Sequence, residues 1–363
     1  MKDNYYAVIM AGGGGTRLWP LSRQSRPKQM LQIIDDLTLF QVAVKRLETL
    51  FPPERILVVT NQQHAIELRK QAPELLEGNF LLEPQPRGTA PAIGLAAAYL
   101  RKHDPNAIMA VLTADHYIGN EAEFRSHLLA AKELAAKEHL VTLGIEPTFA
   151  ATQYGYIQMG ESLSAVGGYP VHKVVRFKEK PDAAEAQRML DAGNFAWNSG
   201  MFVWQVDRIW NEFAQHMQKL HAALEKISAA WGTADHDKVL NYEWPRIAAQ
   251  TIDYGIMEHA NDVVVIPAKG MEWNDVGSWS SLFDVLGADE KGNLVRHELH
   301  FDLDSRNSLV HCNGADRMIV TVGIENLVVV DTGDVLLICS KERSQDLRKV
   351  IELLKEKGLQ RFL

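Results

Sequence analysis

The 363-residue sequence contains only two cysteines, Cys312 and Cys339, and no metal-ligand spacing surrounds them. Two cysteines are too few for a disulfide framework. No apolar run approaches the roughly 20 residues that span a bilayer, so no membrane partner is expected. The chain begins directly with strand-like residues, which predicts no signal peptide and a cytoplasmic protein. A net charge of −8 argues against a nucleic-acid partner.

The periodicity of apolar residues changes along the chain. The first half alternates strand-like and helical stretches, which predicts a mostly parallel sheet with helices on both faces. From about Asp289 the helical pattern gives way to short apolar runs separated by turn residues, which is typical of a small β-domain. An amphipathic helix over Ser344–Lys357 closes the chain. We therefore expect two domains, residues 1–288 and residues 289–363.

The most informative stretch is Tyr5–Met30, in which a short apolar strand breaks into four consecutive glycines, Gly12–Gly15. Without Cβ atoms, their backbone N–H groups can close around an anion. Thr16 and Arg17 follow at once, and a second cationic cluster ends at Lys28. The glycines alone are equally compatible with a tight turn. The positive charge that follows them favours a site for a polyphosphate.

Two familiar glycine-rich motifs are excluded by their spacing. A Walker loop needs lysine and then serine or threonine after its last glycine, whereas Gly15 is followed by Thr16 and Arg17. A dinucleotide-binding fingerprint needs glycine at its sixth position, which is Arg17 when counted from Gly12. The sequence therefore argues against an NAD-type dehydrogenase.

Two aspartates are candidate metal ligands. Asp115 follows the apolar strand Ile108–Leu112, so it is expected at the carboxyl edge of the sheet, near the glycines, where an oxygen ligand for Mg²⁺ would be useful. The alternative is a turn aspartate that caps the following helix. Asp275 lies within Trp273–Trp279, for which a structural turn with buried tryptophans is the alternative. Only the fold can bring the two aspartates together.

A carboxylate could recognise the base of a nucleotide. The stretch Leu82–Pro91 contains Glu83, and a carboxylate can accept hydrogen bonds from guanine N1–H and the exocyclic amine together. Adenine and uracil do not offer this pair of donors. The same stretch ends in a helix start at Thr89, whose alternative role is a cap.

The motifs together resemble those of the sugar-nucleotide pyrophosphorylases. Residues Gly12–Gln29 match the signature GGxGTRLxPLSxxxPKx of that family. Three further family motifs, FxEKP, YGYI and WNSGMF, are matched by Phe177–Pro181, Tyr154–Ile157 and Trp197–Phe202. Strings typical of the mannose-1-phosphate guanylyltransferase branch, EPxxRNTAPA and SIDYxVME, are matched from Glu83 and from Thr251. Gly88 departs from this pattern, because the branch usually has asparagine there.

The resemblance implies a fold and a reaction. The expected fold is an α/β, Rossmann-like nucleotidyltransferase (GT-A-like) domain with a mixed sheet, followed by a small left-handed β-helix-like C-terminal domain and a terminal helix. The implied reaction transfers GMP from GTP to α-D-mannose 1-phosphate by in-line attack, with Mg²⁺ as cofactor. The C-terminal domain is a candidate surface for a homodimer. Longer relatives carry an isomerase domain, and no isomerase activity is expected here.

The resemblance also assigns roles to residues. The implied catalytic residues are Arg17, Lys28, Lys180, Asp115 and Asp275, of which Asp115 and Asp275 would also bind the metal. The implied nucleotide-binding residues are Ala11, Gly12, Gly13, Gly14, Gly15, Thr16, Arg17, Glu83, Arg87 and Thr89. The implied sugar-binding residues are Gly155, Tyr156, Glu179, Asn198 and Asp253. For the sugar-binding motifs the alternatives are a solvated charged edge and ordinary packing at strand ends.

Two other functions remain open. A pyrophosphorylase for glucose 1-phosphate with UTP or dTTP would share the fold, although the EPxxR and WNSGMF strings argue against it. A non-catalytic regulatory subunit that binds a nucleotide sugar is the alternative from another class. Such a protein would be free to lose Arg17, Lys28 or an aspartate, and all of them are present.

Overall fold

A computed structural model of the protein describes residues 4–13, 15–34, 36–313 and 317–363. The chain folds into two compact units built from interleaved segments. The first unit comprises Met1–Gly12, Ala43–Ala114 and Ile118–Trp273. The second unit comprises Gly13–Val42, Asp115–Tyr117 and Asn274–Leu363.

The first unit is built on a nine-stranded mixed sheet. Its strands are β1 (Tyr5–Met10), β2 (Ile56–Asn61), β3 (Phe80–Glu83), β4 (Ile108–Thr113), β6 (Leu140–Ile145), β7 (Tyr156–Val166), β8 (Tyr169–Lys178), β9 (Phe195–Gln205) and β10 (Val263–Pro267). Two further short strands, β5 (Tyr117–Ile118) and β11 (Trp273–Asn274), lie at the segment boundaries. The order across the sheet is β3-β2-β1-β4-β9-β6-β10-β8-β7. Strands β3 to β4 are parallel, whereas β9 is antiparallel to both β4 and β6. Parallel pairing also joins β6 to β10, so the predicted parallel arrangement is observed for part of a mixed sheet.

Helices flank this sheet. They are α2 (Gln62–Gln71), α3 (Thr89–His103), α4 (Glu121–Ala135), α5 (Ala183–Ala192), α6 (Val206–His216), α7 (Gln218–Ala230) and α8 (His236–Glu243), and α1 (Leu39–Lys45) crosses a segment boundary. Side-chain caps begin three of them: Asn61, Asn120 and Asp182 each accept a backbone N–H of the first turn. Apolar residues of α3, α6 and α7 form one buried cluster with β1, β4 and β9.

The second unit contains a small β-helix. Its strands are β12 (Leu294–Arg296), β13 (His300–Leu303), β14 (Leu309–Cys312), β15 (Ile319–Val322), β16 (Leu327–Asp331) and β17 (Leu336–Ser340), and its helices are α9 (Leu282–Val285) and α10 (Leu347–Glu356). Strands β12, β14 and β16 pair in parallel, and β13 pairs in parallel with β15 in a separate sheet. The register aligns Leu294, Leu309 and Val328, all buried, so successive turns of the coil stack apolar side chains. This core also includes Leu18 and Trp19.

Several of the sequence motifs lie where strands of the sheet end. Gly12 and Asp115 follow β1 and β4, which are adjacent and parallel. Ligands of open α/β sheets gather at such carboxyl edges. In the described part of the chain, no helix is both long and apolar enough to cross a membrane.

Candidate active site

The residues that the sequence assigned to ligands fall into three groups. The second unit contains the charged cluster, Arg17, Lys28, Asp115 and Asp275. The first unit contains the other two: the base group, Ala11, Gly12, Glu83, Arg87 and Thr89, and the sugar group, Gly155, Tyr156, Glu179, Lys180, Asn198 and Asp253. Gly13 is exposed in the second unit, and Thr16 begins a short 3₁₀ helix over Thr16–Leu18. Gly14 lies outside the described residues.

Lys28 is the centre of the charged cluster. Its ammonium group is almost fully buried and lies 3.0 Å from Asp115 Oδ2. It also donates a hydrogen bond to the backbone carbonyl oxygen of Asp275. Gly15 packs against the backbone and Cβ of the same lysine. One side chain therefore joins the glycine stretch to both candidate metal ligands.

Charge around Asp115 keeps its carboxylate ionised. Burial raises the pKa of Asp115, but the positive charges of Lys28, His116 and Arg17 outweigh this effect and lower the pKa to about 2. Because the folded-state pKa lies below the ordinary value of 3.8, this contribution to stability is present above about pH 4 and is lost as the pH falls towards 2. Asp115 is thus ionised at neutral pH.

Asp275 is held by a tight turn. Its carboxylate accepts the backbone N–H of Gly277 through Oδ1 at 3.0 Å, and its Oδ2 lies 3.8 Å from Arg17 Nη1. A Cβ atom at position 277 would overlap Oδ2 of Asp275 and lie 2.9 Å from Arg17 Nη1. The glycine of this motif is therefore required by the close approach of a carboxylate and a guanidinium group.

The donor set of this cluster fits Mg²⁺. Among the described residues, no group of three or more His, Cys, Asp or Glu side chains is arranged to hold a metal ion. The cluster supplies two carboxylates, those of Asp115 and Asp275. The ammonium group of Lys28 contacts Asp115 through a carboxylate oxygen and Asp275 through its backbone carbonyl. Mg²⁺ is commonly bound by one or two carboxylates together with substrate phosphates and water. Asp115 and Asp275 could therefore hold this ion when a phosphate ligand supplies the remaining oxygens.

Glu83 is a buried carboxylate beside the first glycine. Only 4% of its surface is exposed, and a Cβ atom at Gly12 would lie 2.7 Å from Glu83 Oε1. Its Oε2 atom is buried and has no hydrogen-bond partner in the described structure. Burial raises the pKa of Glu83 to about 7, although a hydrogen bond from the backbone N–H of Arg87 opposes the shift. A buried acceptor without a donor is costly, and a contact of Glu83 with a base stays a prediction.

The remaining members of the base group have structural partners. Ala11 is buried at the end of β1, where its N–H bonds the carbonyl of Val59. The guanidinium of Arg87 donates to the carbonyl of Pro245 at 2.8 Å. The hydroxyl of Thr89 accepts the N–H of Ile252 rather than capping its own helix. Nucleotide contacts of these three residues stay predictions.

Three residues of the sugar group meet around Gly155. A Cβ atom there would lie 2.5 Å from Glu179 Oε2 and 3.4 Å from Asn198 Cβ. The backbone N–H of Asn198 bonds the carbonyl of Gly155 at 2.8 Å. The structure therefore brings the YGYI, FxEKP and WNSGMF motifs into contact.

The amide of Asn198 is oriented at both ends. Its Nδ2 donates to Asp253 Oδ1 at 2.6 Å, and its Oδ1 accepts the N–H of Gly200 at 3.1 Å. Burial raises the pKa of Asp253, and the nearby Glu179 adds to this effect. Glu179 in turn pairs with the exposed ammonium group of Lys180. These contacts form a polar surface suited to hydroxyl groups and a phosphate.

Tyr156 lies apart from these contacts. Its side chain is fully buried, and its hydroxyl accepts the backbone N–H of Ala151 at 2.9 Å. The adjacent Gly155 is the member of this motif that faces Glu179. A sugar contact of Tyr156 stays a prediction.

The sequence analysis missed an aromatic cluster beside the sugar group. Trp197 lies 4.9 Å, centroid to centroid, from both Phe149 and Tyr154, and Tyr154 lies 5.6 Å from Trp273. Three of the four rings belong to quoted motifs, but no role was assigned to them. Phe149 gave no signal, because nothing in its local sequence distinguishes it from a surface aromatic residue.

Comparison with known proteins places this site in a family. A family model described as "Nucleotidyl transferase" matches residues 6–292, and one described as "MannoseP isomerase/GMP-like beta-helix domain" matches residues 298–354. The fold is thus that of a nucleotidyltransferase enzyme with a C-terminal β-helix domain. Within this class, the chain belongs to the mannose-1-phosphate guanylyltransferase family.

Three relatives illustrate the similarity. The mannose-1-phosphate guanylyltransferase of Klebsiella pneumoniae is 38% identical over 96% of this chain and 74% of its own length. ManC of Salmonella typhimurium, given the same name, is 39% identical over 98% of this chain and 74% of its own length. A crystal structure from Thermus thermophilus, described as a mannose-1-phosphate geranyltransferase, is 34% identical with a TM-score of 0.87, covering 97% of this chain and all of that one. The chain spans about three quarters of the curated relatives.

Proposed function

We propose that this protein transfers GMP from GTP to α-D-mannose 1-phosphate, releasing pyrophosphate. Beyond family membership, the buried carboxylate of Glu83 beside Gly12 carries the choice of base. Its ionised form can accept two adjacent donors of guanine, N1–H and the exocyclic amine. Neither adenine nor uracil presents that pair, so Glu83 would favour GTP over ATP and UTP.

The cations of the chain would bind the phosphates. Arg17 and Lys28 supply fixed positive charge for the triphosphate, which lowers the energy of charge that develops on the leaving pyrophosphate. Lys180 would hold the phosphate of the sugar, while Glu179 and Asn198 bind its hydroxyls. A phosphate oxygen of the sugar then attacks the α-phosphorus in line as its bond to pyrophosphate breaks. Positioning of the two reactants is the main contribution of the protein.

Asp115 and Asp275 would hold Mg²⁺. When bound, this ion neutralises the triphosphate and orients it. The support lies in Lys28, which contacts the carboxylate of Asp115 and the backbone carbonyl of Asp275, and in Asp115, which stays ionised at neutral pH. Asp253 would act one contact further from the sugar, by orienting the amide of Asn198.

The function is tested by pyrophosphate release with Mg²⁺. GTP, ATP, UTP and dTTP are each offered with mannose 1-phosphate and with glucose 1-phosphate. Strong turnover with GTP and mannose 1-phosphate alone is the expected result. Turnover restricted to UTP or dTTP with glucose 1-phosphate would discard the proposed specificity. Nucleotide binding without turnover of any pair would instead favour a regulatory subunit.

We further propose a homodimer through the β-helix. Phe301 and Leu303 of β13 pair in register with Val320 and Val322 of β15, and all four side chains are 58–60% exposed. Their alternation puts them on one face of a two-stranded sheet, where they form a continuous apolar surface. A second copy would cover the same surface by two-fold symmetry.

Two further expectations belong to this proposal. The boundary between catalytic domain and β-domain is proposed at residues 288 and 289, where the helical pattern of the sequence ends. The protein is proposed to act in the cytoplasm. Fractionation of cells that express the tagged full chain would test the compartment.

A further inference from the structure

In the turn that carries Asp275, two consecutive side chains each accept a hydrogen bond from a backbone N–H. Asn274 Oδ1 accepts the backbone N–H of Val276 at 2.7 Å. One residue later, Asp275 Oδ1 accepts the backbone N–H of Gly277 at 3.0 Å. Each side chain therefore binds the N–H two residues ahead, a geometry that asparagine and aspartate favour. The acceptor of the first hydrogen bond is the residue before Asp275, and the acceptor of the second is the carboxylate of Asp275 itself.

Val276 has an unusual backbone at the centre of this turn. Its φ is +47°, in the left-handed region, and its side chain is fully buried in the core of the second unit. A β-branched residue adopts this conformation only where its surroundings enforce it. Burial fixes the side chain of Val276, and Asn274 holds its N–H. These two restraints act on opposite sides of the same residue.

The conformation of Val276 determines where the next N–H points. That N–H belongs to Gly277 and holds Oδ1 of Asp275, while Oδ2 faces Arg17 at 3.8 Å. We propose that Asn274 is a positioning residue for Asp275: through Val276 it fixes the direction in which the carboxylate presents its second oxygen. The inference rests on the proposed function, because it assumes that this carboxylate binds the divalent ion.

Binding of Mn²⁺ to the full chain, measured by electron paramagnetic resonance in the presence of GTP without sugar phosphate, tests this inference without turnover. Asn274→Ala removes the acceptor of the Val276 N–H and should weaken Mn²⁺ binding roughly tenfold. Such a loss is typical when a residue that orients a metal ligand is removed. Asn274→Asp keeps an acceptor oxygen and should restore most of the affinity. It also provides a folded variant if the alanine variant is unstable.

A matched control separates positioning from general stability. Asn293 is a buried asparagine of the second unit, and its Oδ1 accepts the N–H of Ser308 at 3.1 Å. Asn293→Ala should lower the Tm while leaving Mn²⁺ affinity within twofold of wild type. Equal losses of Tm and of Mn²⁺ affinity in the Asn274 and Asn293 variants would reduce Asn274 to a structural role.

A double mutant distinguishes the two levels of the proposal. Asp275→Asn should abolish most Mn²⁺ binding, and Asn274→Ala should then have no further effect, since it acts through Asp275. Loss of binding in Asp275→Asn with unchanged binding in Asn274→Ala would overturn the positioning role alone. Unchanged binding in Asp275→Asn would overturn the proposed metal site, and the inference with it.

Discussion

Glu83 changes its charge in the pH range where most enzymes work. Its pKa is about 7, raised by burial from an ordinary value of 4.5. The neutral form is therefore favoured in the folded protein, and this contribution to stability is complete below about pH 4.5 and is lost as the pH rises through 7. A guanine base that needs the ionised form would bind better at higher pH. Stability and ligand binding thus have opposite pH dependences at this residue.

Binding of GTP should strengthen as the pH rises from 6 to 8. With a pKa of about 7, the ionised fraction of Glu83 increases roughly tenfold over this interval, and the apparent affinity follows it. Titration calorimetry of wild type and Glu83→Gln at the two pH values measures the effect. The glutamine variant should bind GTP weakly and with little pH dependence. Between pH 5 and pH 8, the free energy of unfolding of wild type should fall by on the order of 3 kcal/mol relative to that of the glutamine variant. An identical pH dependence in both proteins would remove Glu83 from the base site.

Lys180 and Lys178 form a matched pair of surface cations. Lys180 contacts Glu179 of the sugar group, whereas Lys178 lies 3.4 Å from Glu185 on α5. Lys180→Ala should raise the KM for mannose 1-phosphate roughly tenfold or more, because a charge-assisted hydrogen bond to phosphate is lost, while the KM for GTP changes little. Steady-state kinetics of Lys178→Ala provide the control. Equal changes in both KM values for Lys180→Ala would place this lysine outside the sugar subsite.

At the scale of elements, the start of α3 explains the departure at Gly88. Its φ is +88°, and a Cβ atom there would overlap the carbonyl oxygen of Gln250. Two backbone hydrogen bonds hold this region to Gln250. The Gln250 N–H donates to the carbonyl of Arg87, and the Ala90 N–H donates to the carbonyl of Gln250. The asparagine usual in the family would have to displace this backbone. The backbone around position 88 of this chain therefore requires glycine.

Gly88→Ala should destabilise the protein by about 3 kcal/mol or more, combining backbone strain with steric overlap. Gly168 supplies the control, because its φ of +86° is nearly the same but a Cβ atom at this position would have no neighbour within 4 Å. Gly168→Ala should cost about 1 kcal/mol from strain alone. Urea denaturation of both variants measures the difference. Equal losses would show that the contact with Gln250 carries no energy.

Periodicity predicted most elements of the chain, and tertiary structure decided the others. The apolar pattern over Asp207–Trp231 predicts a long helical stretch that breaks near His216, and α6 ends at that residue. The apolar pattern also predicts a helix over Leu39–Leu50, but the helix ends at Lys45. The chain continues in tighter turns, such as the one closed by the hydrogen bond from Leu47 N–H to the Val44 carbonyl. Apolar spacing alone does not distinguish such turns from a helix.

The site was predictable at the level of motifs but not of contacts. Local sequence matched Glu179 and Asn198 to the FxEKP and WNSGMF motifs of the family, and their contacts with a sugar stay predictions. It gave no information on the insertion of β9 between β4 and β6, which brings Asn198 to Gly155. Strand order depends on long-range pairing, so the roles of Asn274 and Phe149 became visible only in the structure.

At the scale of the whole molecule, the apolar face of β13 and β15 is the clearest surface for assembly. Val320→Lys would place a charge in the proposed interface and should convert a dimer to a monomer, since an unpaired charge is costly to bury. Light scattering after size-exclusion chromatography measures the mass. Val175→Lys is the control, because this exposed valine lies on β8 of the first unit. A wild-type protein that is monomeric at high micromolar concentration would contradict the prediction.

The interleaved segments of the second unit determine when it can form during synthesis. Trp19 donates its indole N–H to the carbonyl of Phe362 at 2.7 Å, and Arg23 pairs with Asp334 at 2.9 Å. At translation rates of roughly 5–20 residues per second, the segment around Trp19 would wait on the order of tens of seconds for these partners. Its apolar side chains are available to chaperones during that interval. The charged cluster around Lys28 is consequently among the last parts of the nascent chain to be completed.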